Sequence, residues 1–207
     1  MALERSELGR RLDRLPTEPP ALGSAGAAVL LILRSGPAGP ETLLIQRSDR
    51  PEDPGAGQVS LPGGRRDGSD RSLRETALRE LREEVGLSVE DLEPPVRYLG
   101  TFSAPHFGLE VAAFVAPSSP TASEPRPADP TEVQEVFWLP LRTLQRTERV
   151  PRSTSRGERE VDAVRFQGHV LWGFTRRLLL EFDDRLGRGF PAPGDGSGSG
   201  GPPGSSI

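Results

Sequence analysis

The chain has 207 residues, which is enough for one domain with a sizeable hydrophobic core but cramped for two large domains. Its formal net charge of -4 lacks the excess of basic charge that nucleic-acid-binding domains usually carry. The absence of cysteine excludes disulfides and thiolate catalysis, and the two histidines leave little for a histidine-based metal site.

The apolar runs of the sequence are too short to span a bilayer, since the longest, residues 25–34, has only about half the length required. Residues 1–15 carry charges between their leucines and do not resemble a signal peptide. We therefore predict a cytoplasmic protein that binds neither membranes nor nucleic acid. This prediction is compatible with a homodimer.

The first quarter of the chain is predicted to contain a helix followed by a β-hairpin. Leucines at near-helical spacing predict an amphipathic helix over residues 3–15, which Pro16 ends. Two apolar runs, 25–34 and 42–47, flank the turn-rich segment 35–41. This arrangement predicts two antiparallel strands joined by a turn.

Residues 71–86 give the clearest helix prediction. Their apolar side chains form one stripe along the helix: Leu73, Ala77, Leu78, Leu81 and Val85. Gly86 stands where a C-terminal cap belongs. Four other segments have the apolar or alternating character of β-strands: 96–102, 109–116, 132–139 and 159–166.

The remaining segments are predicted from composition and spacing. Residues 117–130 are rich in proline and serine and predict a loop, whereas residues 169–182 predict a closing helix whose aromatic side chains pack in the core. Residues 191–207 have almost nothing to bury and are predicted to be disordered. The chain is thus divided into an N-terminal helix and linker (1–20), a central domain (21–190) and this tail.

The predicted helix over residues 71–86 carries a cluster of acidic side chains. Glu80, Glu83 and Glu84 are spaced i, i+3 and i+4, so their like charges crowd one helical face. A hard divalent cation would turn this repulsion into a binding site, because such cations take carboxylate oxygens together with substrate phosphates. The alternative is a solvated face stabilised by ion pairs such as Arg79 with Glu83.

The segment before this helix, "GQVSLPGG", holds more glycine than a simple turn requires. Together with "RELREEVGL", residues 79–87, it resembles the signature of the Nudix hydrolases, in which a glycine precedes an acid and then R-E-U-x-E-E-x-G-U, with U aliphatic. The acid falls on Asp70, and eight residues rather than seven separate it from Arg79. The role of Asp70 is therefore left open.

This longer spacing, together with "LLIQRS", "TALRE" and "WGFTRRLLL", is similar to the coenzyme A diphosphatase branch of that family. The segment "DRPEDPGA" departs from the branch, because it is one residue longer than usual and lacks a histidine. The resemblance implies a Nudix-type α/β/α sandwich with a mixed, curved central sheet. It also implies metal-dependent cleavage of the diphosphate linkage in coenzyme A or its derivatives, giving phosphopantetheine and an adenosine bisphosphate.

Two alternatives to this function stay open. The substrate of a Nudix hydrolase can instead be ADP-ribose, a dinucleotide or a nucleoside triphosphate, and the chain can be a non-catalytic domain that senses a nucleotide. The intact set of glutamates counts against the sensor.

The resemblance also assigns roles to individual residues. Mg2+ or Mn2+ would be held by Glu80, Glu83 and Glu84; of these, Glu83 and Glu84 are also assigned catalytic roles, together with Arg79, which orients a glutamate. Substrate contacts are expected from four residues: Arg47, Gly63, Gly64 and Arg65. An additional acid is expected from one of three residues outside the helix: Glu110, Glu132 and Glu135.

Overall fold

A mixed β-sheet of seven strands forms the centre of the computed structural model, which describes residues 7–19, 25–53, 55–154 and 157–186. In chain order the strands are β1 (Ala27–Gly36), β2 (Gly39–Arg47), β3 (Val59–Ser60), β4 (Gly63–Arg65), β5 (Arg97–Ala104), β6 (Leu109–Pro117) and β7 (Val133–Pro140). Strand β1 pairs antiparallel with β2 and β4 but parallel with β6. The predicted mixed sheet and the predicted hairpin of β1 and β2 are thereby confirmed.

A second, smaller sheet and three helices complete the described part of the chain. The sheet consists of β8 (Glu148–Thr154), β9 (Gly157–Phe166) and β10 (His169–Trp172), all antiparallel. The helices are α1 (Glu7–Leu12), α2 (Leu73–Val85) and α3 (Gly173–Arg185), and short 3-10 turns cover Val89–Asp91, Pro105–Phe107 and Leu141–Gln145. None of these helices combines the length and apolar character that a bilayer crossing requires.

The layered arrangement follows from the apolar run of β1. Successive side chains of a strand point to opposite faces of the sheet, so a continuous apolar strand needs cover on both faces. Leu30 and Ile32 pack with the apolar stripe of α2, whereas Leu31 and Leu33 pack with residues of α3. The result is a helix, sheet, helix sandwich, as predicted.

Helix α2 lies within the predicted limits and is capped at both ends. The Ser72 hydroxyl accepts a hydrogen bond from the Glu75 N–H at 3.1 Å, and Gly86 ends the helix with its N–H bonded to the Arg82 carbonyl. The apolar stripe is buried against the sheet, with Ala77 and Leu81 fully inaccessible to solvent. This packing fixes which face of α2, and therefore which glutamates, approach β4.

The prediction of a closing helix over residues 169–182 is wrong at its beginning. Residues His169–Trp172 form β10, which pairs with β9 through a tight turn at Gln167 and Gly168. Helix α3 therefore begins at Gly173.

The prediction that its aromatic side chains pack in the core is also only partly correct. Phe182 is fully buried, but Trp172 and Phe174 are half-buried. Both are partly exposed because they line the cleft described below.

Other differences concern short or polar strands. Strand β8 was not predicted, because its sequence is polar and contains Pro151. The glycine-rich segment "GQVSLPGG", for which no strand was predicted, contributes β3 and the beginning of β4. The predicted N-terminal helix is observed over Glu7–Leu12 and ends three residues before the predicted end at residue 15. Residues 1–6 and the predicted disordered tail, 191–207, lie outside the described part.

Candidate functional site

Strand β4 brings two glycines against the acidic face of α2. Gly64 pairs with Ala28 of β1, and Gly63 pairs with Val29. A Cβ atom on Gly63 would lie 2.3 Å from the Ala28 carbonyl oxygen, and the positive φ of +151° is itself unfavourable for other residues. A Cβ atom on Gly64 would lie 2.4 Å from Oε1 of Glu80. The glycines therefore allow a backbone approach that a side chain would block.

Glu84 is the most deeply buried acid of this region, with only 3% of its surface exposed. Its Oε2 accepts a hydrogen bond from the Gly63 N–H at 2.8 Å, and its Oε1 lies 3.4 Å from Nη1 of Arg47. Burial raises the pKa of Glu84 to about 8, even though the Gly63 N–H and the Arg47 charge oppose that shift. A cation beside this carboxyl would replace its proton at neutral pH.

Glu80 lies next to Glu84 and interacts with its charge. Its carboxylate forms an ion pair with Nη1 of Arg79 at 2.8 Å and is 15% exposed. Burial raises the pKa of Glu80, and the charges of Glu83 and Glu132 act in the same direction. The two neighbouring carboxylates are thus desolvated and mutually repulsive, which is unfavourable unless positive charge joins them.

Arg79 holds several acidic groups in place. It donates to Glu83 Oε2 at 2.8 Å, to both carboxylate oxygens of Asp70 at 3.1 Å and to the Arg65 carbonyl at 3.0 Å. The Arg79 guanidinium is the main cause that lowers the pKa of Asp70 from its ordinary 3.8 to about 2. Asp70, whose spacing departs from the signature, therefore contributes two of the hydrogen bonds that fix Arg79.

Arg47 joins the acidic cluster to the loop after β2. Its guanidinium bonds to the carboxylate of Asp53 at 2.7 and 2.8 Å, and Asp53 in turn accepts the Gly55 N–H at 2.8 Å. Asp53 was not expected from the sequence, because an acid within a proline-rich loop has no spacing that marks it. Arg47 thus contacts both Asp53 and Glu84.

A cleft of about 590 Å³ lies beside these residues. One part, which we call the β4 end, is lined by Arg47, Asp53 and the β4 residues Gly63, Gly64 and Arg65. The other part is lined by residues of the 3-10 turn Pro105–Phe107 and of the β10–α3 junction: Trp172, Phe174 and Arg177. The three glutamates of α2 do not line the cleft themselves, and they are connected to it through the glycines and Arg47.

The three candidate additional acids lie in different surroundings. Glu132 lies 3.5 Å from Nη1 of Arg50, and its charge raises the pKa of both Glu80 and Glu84. Glu135 is exposed and lies 3.6 Å from Nε2 of His169 on β10. Glu110 on β6 does not line the cleft. Glu132 is thus the candidate that interacts electrostatically with the acidic cluster.

The acidic side chains of this region supply part of the coordination shell that a hard divalent cation requires. Among the residues that the structure describes, no three acidic or histidine side chains lie close enough together to enclose a metal ion. Mg2+ is usually held by only one or two carboxylates, with waters and substrate phosphates completing its shell. Glu80 and Glu84 supply such a pair, whereas Glu83 is half-exposed and bonded to Arg79.

The chain is similar to known proteins both in sequence and in fold. The NUDIX domain model matches residues 24–156. The chain is 32% identical over 188 residues to a protein of Pectobacterium atrosepticum named uncharacterized Nudix hydrolase NudL, covering 84% of this chain and 92% of that one.

A human protein named mitochondrial coenzyme A diphosphatase NUDT8 is 38% identical over 130 residues, which cover 60% of this chain and 52% of NUDT8. The alignment thus spans about half the length of that relative. Among solved structures, the NUDIX domain of Shewanella oneidensis NrtR, crystallised with ADP ribose, has a TM-score of 0.53 at 22% identity, covering 86% of this chain and 97% of that one. This likeness concerns the fold.

Proposed function

Because the chain belongs to the Nudix hydrolase family, whose members cleave phosphoanhydride bonds, we propose that it hydrolyses the diphosphate linkage of coenzyme A or its derivatives. The observation that supports it most is the pair of desolvated carboxylates, Glu80 and Glu84, held against the glycine strand that lines the cleft. Water would add its oxygen to one phosphorus, and the bond from that phosphorus to the bridging oxygen would break. The products would be phosphopantetheine and an adenosine bisphosphate.

The choice of coenzyme A has two supports. One is the name of the human relative, whose aligned part is 38% identical to this chain. The other is the set of segments that are similar to the coenzyme A diphosphatase branch, of which "LLIQRS" and "WGFTRRLLL" both contribute cleft residues, Arg47 among them. The departure at "DRPEDPGA" places Asp53 beside Arg47, so this arginine is partly neutralised before any substrate binds.

In the proposed site Glu80 and Glu84 would hold Mg2+ or Mn2+, with Glu83 and Glu132 as further candidates. A divalent cation bound there would neutralise the diphosphate charge and acidify a water. The Gly63 N–H fixes the orientation of the Glu84 carboxylate.

Arg79, itself fixed by Asp70, orients Glu80 and Glu83. Arg47 and Arg65 line the cleft and are suited to bind phosphate oxygens. The site thus separates the residues that hold the cation from those that meet the substrate.

We further propose that residues 21–190 form the Nudix hydrolase domain and that residues 1–20 and 191–207 are flanking segments. The proposal includes a cytoplasmic location and a small-molecule partner. It is also compatible with a homodimer, which light scattering of the purified protein would test.

The experiment that tests the proposal is incubation with Mg2+ or Mn2+ and a panel of coenzyme A, ADP-ribose, NADH and nucleoside triphosphates, with products identified by chromatography. Release of phosphopantetheine from coenzyme A supports the proposal, and Glu84→Gln measured in parallel excludes a contaminating phosphatase. Cleavage of ADP-ribose or a nucleoside triphosphate alone would assign another substrate. Tight nucleotide binding without products would indicate a sensor.

A further inference from the structure

The cleft has a second end, which lies away from β4 and which we call the aromatic end. It is formed by Pro105–Phe107 together with Trp172, Phe174 and Arg177. Phe107 is 41% exposed, although burial of an aromatic ring is strongly favourable, and Trp172 and Phe174 are only half-buried. Aromatic faces left accessible within a cleft are suited to stacking against a planar base.

Arg177 supplies positive charge at the aromatic end. Its Nη2 donates to the carbonyl oxygen of Ser103, and its guanidinium carbon lies 5.6 Å from the centre of the Phe174 ring. Both partners are uncharged. Within the described ranges no carboxylate pairs with Arg177, in contrast to Arg47, which bonds to Asp53 and lies 3.4 Å from Glu84. The charge of Arg177 is therefore available to an anionic group in the cleft.

The distance between the two ends of the cleft is larger than a single phosphate group can span. Phe102 pairs with Val111, Val111 with Ala27, and Ala27 with Arg65, so this row crosses four neighbouring strands. Three strand spacings amount to about 14 Å at the backbone. Arg177 bonds next to Phe102, at Ser103, and thus lies at the opposite end of this row from Arg65.

We propose that the aromatic end binds the nucleoside of the substrate and that Arg177 contacts a phosphate monoester on its ribose, separate from the diphosphate that is cleaved. This inference rests on the proposed function, because it assumes that the diphosphate lies at the β4 end. Coenzyme A carries such a ribose 3′-phosphate, and 3′-dephospho-coenzyme A is identical except that this group is missing. Arg177 is therefore a specificity-determining residue, and the pair of substrates isolates its contribution.

The test measures kcat/KM for coenzyme A and for 3′-dephospho-coenzyme A in the wild type and in Arg177→Gln. A charge-assisted contact to phosphate predicts that the wild type prefers coenzyme A by about tenfold to a hundredfold and that Arg177→Gln loses this preference through KM. Arg176→Gln is the matched control, because Arg176 bonds to Thr147 and does not line the cleft. Equal rates of the wild type on both substrates, or a preference retained in Arg177→Gln, would overturn the inference.

A binding measurement tests the inference independently of turnover. Calorimetric titration with adenosine 3′,5′-bisphosphate and with AMP compares two ligands that differ in the same phosphate. The bisphosphate is expected to bind the wild type and Arg176→Gln at least about tenfold more tightly than AMP, and Arg177→Gln is expected to bind both similarly. This result without cleavage of coenzyme A would sustain the inference and reject the proposed function. Equal affinities of the wild type for both ligands would reject the inference whatever the activity.

Discussion

Charged side chains are paired very differently at the two ends of the cleft. At the β4 end Arg47 contacts two carboxylates. Behind the strand, Arg79 also contacts more than one carboxylate, and Glu84 accepts a backbone N–H from β4. At the aromatic end, Arg177 contacts only a carbonyl and an aromatic ring among the described residues. Groups that act on a reacting bond need fixed positions before the substrate arrives, whereas groups that recognise the substrate need free capacity to bind it. If the proposed function holds, this difference in pairing separates the end of the cleft where the reaction occurs from the end that recognises the substrate.

The largest loss of activity is expected from Glu84→Gln, which tests whether the reaction occurs at the β4 end. The variant keeps the shape of the side chain but cannot lose a proton to become the anionic ligand that a divalent cation requires, so most of the affinity for the cation should be lost. We expect kcat/KM on coenzyme A to fall more than about a hundredfold, which exceeds the usual cost of removing a supporting residue. Turnover is measured by chromatography, and circular dichroism checks the fold.

Glu158→Gln controls for the loss of one charge, because Glu158 is exposed on β9 and does not line the cleft. It is expected to behave as the wild type. Full activity of a folded Glu84→Gln variant would show that the β4 end is not where the chemistry occurs.

Gly64→Ala is expected to have the next largest effect on activity. The new Cβ atom would lie 2.4 Å from Glu80 Oε1, and the long side chain of Glu80 can rotate away. We therefore expect kcat/KM to fall about tenfold to a hundredfold, comparable with the loss of a supporting residue, while the melting temperature stays close to that of the wild type. Unchanged turnover would mean that the position of Glu80 does not matter for the reaction.

Gly63→Ala is the matched variant that is expected to act on stability. Its Cβ atom would meet the backbone of Ala28 and Val29 at 2.3 and 2.6 Å, and backbone cannot move aside as a side chain can. We expect the free energy of unfolding to decrease by at least about 2 kcal/mol, or roughly 4–8 °C in melting temperature. Thermal melts of the two alanine variants, recorded together, would contradict this account if Gly64→Ala were the less stable.

The smallest expected effect concerns Asp70 at acid pH. Because Arg79 lowers the pKa of Asp70 from 3.8 to about 2, the carboxylate stabilises the folded state fully above about pH 4, and this contribution is lost as the pH falls towards 2. Asp70→Asn should therefore be less stable than the wild type at pH 6, and the difference should shrink between pH 4 and pH 2. Urea unfolding across this range measures it.

Glu158→Gln again serves as the control for one carboxylate fewer in the Asp70 experiment. A constant difference between Asp70→Asn and the wild type at every pH would show that charge on Asp70 does not contribute.

Much of the fold was predictable because its determinants are local in sequence. The stripe of α2 and its cap at Gly86 mark the helix within two residues, and the apolar run of β1 predicts a strand that is covered on both faces. The segment 169–172 was wrongly predicted as the beginning of a helix, because an apolar run fits either a helix or a strand. Pairing with β9 makes this segment a strand. The turn residue Gly168 is the feature of the sequence that could have indicated this pairing.

The candidate site was predictable only where a motif fixes spacing. The motif assigned Glu80, Glu84 and the glycines of β4, which the structure brings together. It did not predict the pairing of Asp70 with Arg79 or of Asp53 with Arg47, since each joins a loop to the neighbouring helix or strand and depends on how that loop folds back. The aromatic end was missed for a related reason: spacing alone does not distinguish a ring in the core from a ring at the edge of a cleft.

The Gly63 amide gives the molecule a built-in spectroscopic reporter. Its proton is bonded to a side-chain oxygen of Glu84, so its NMR chemical shift and its hydrogen-exchange rate depend on what that carboxylate binds. Titration with Mg2+, or with the strongly paramagnetic Mn2+, would therefore perturb the Gly63 resonance directly. Ion occupancy can thus be followed in solution on the unmodified protein, without a substrate and without turnover.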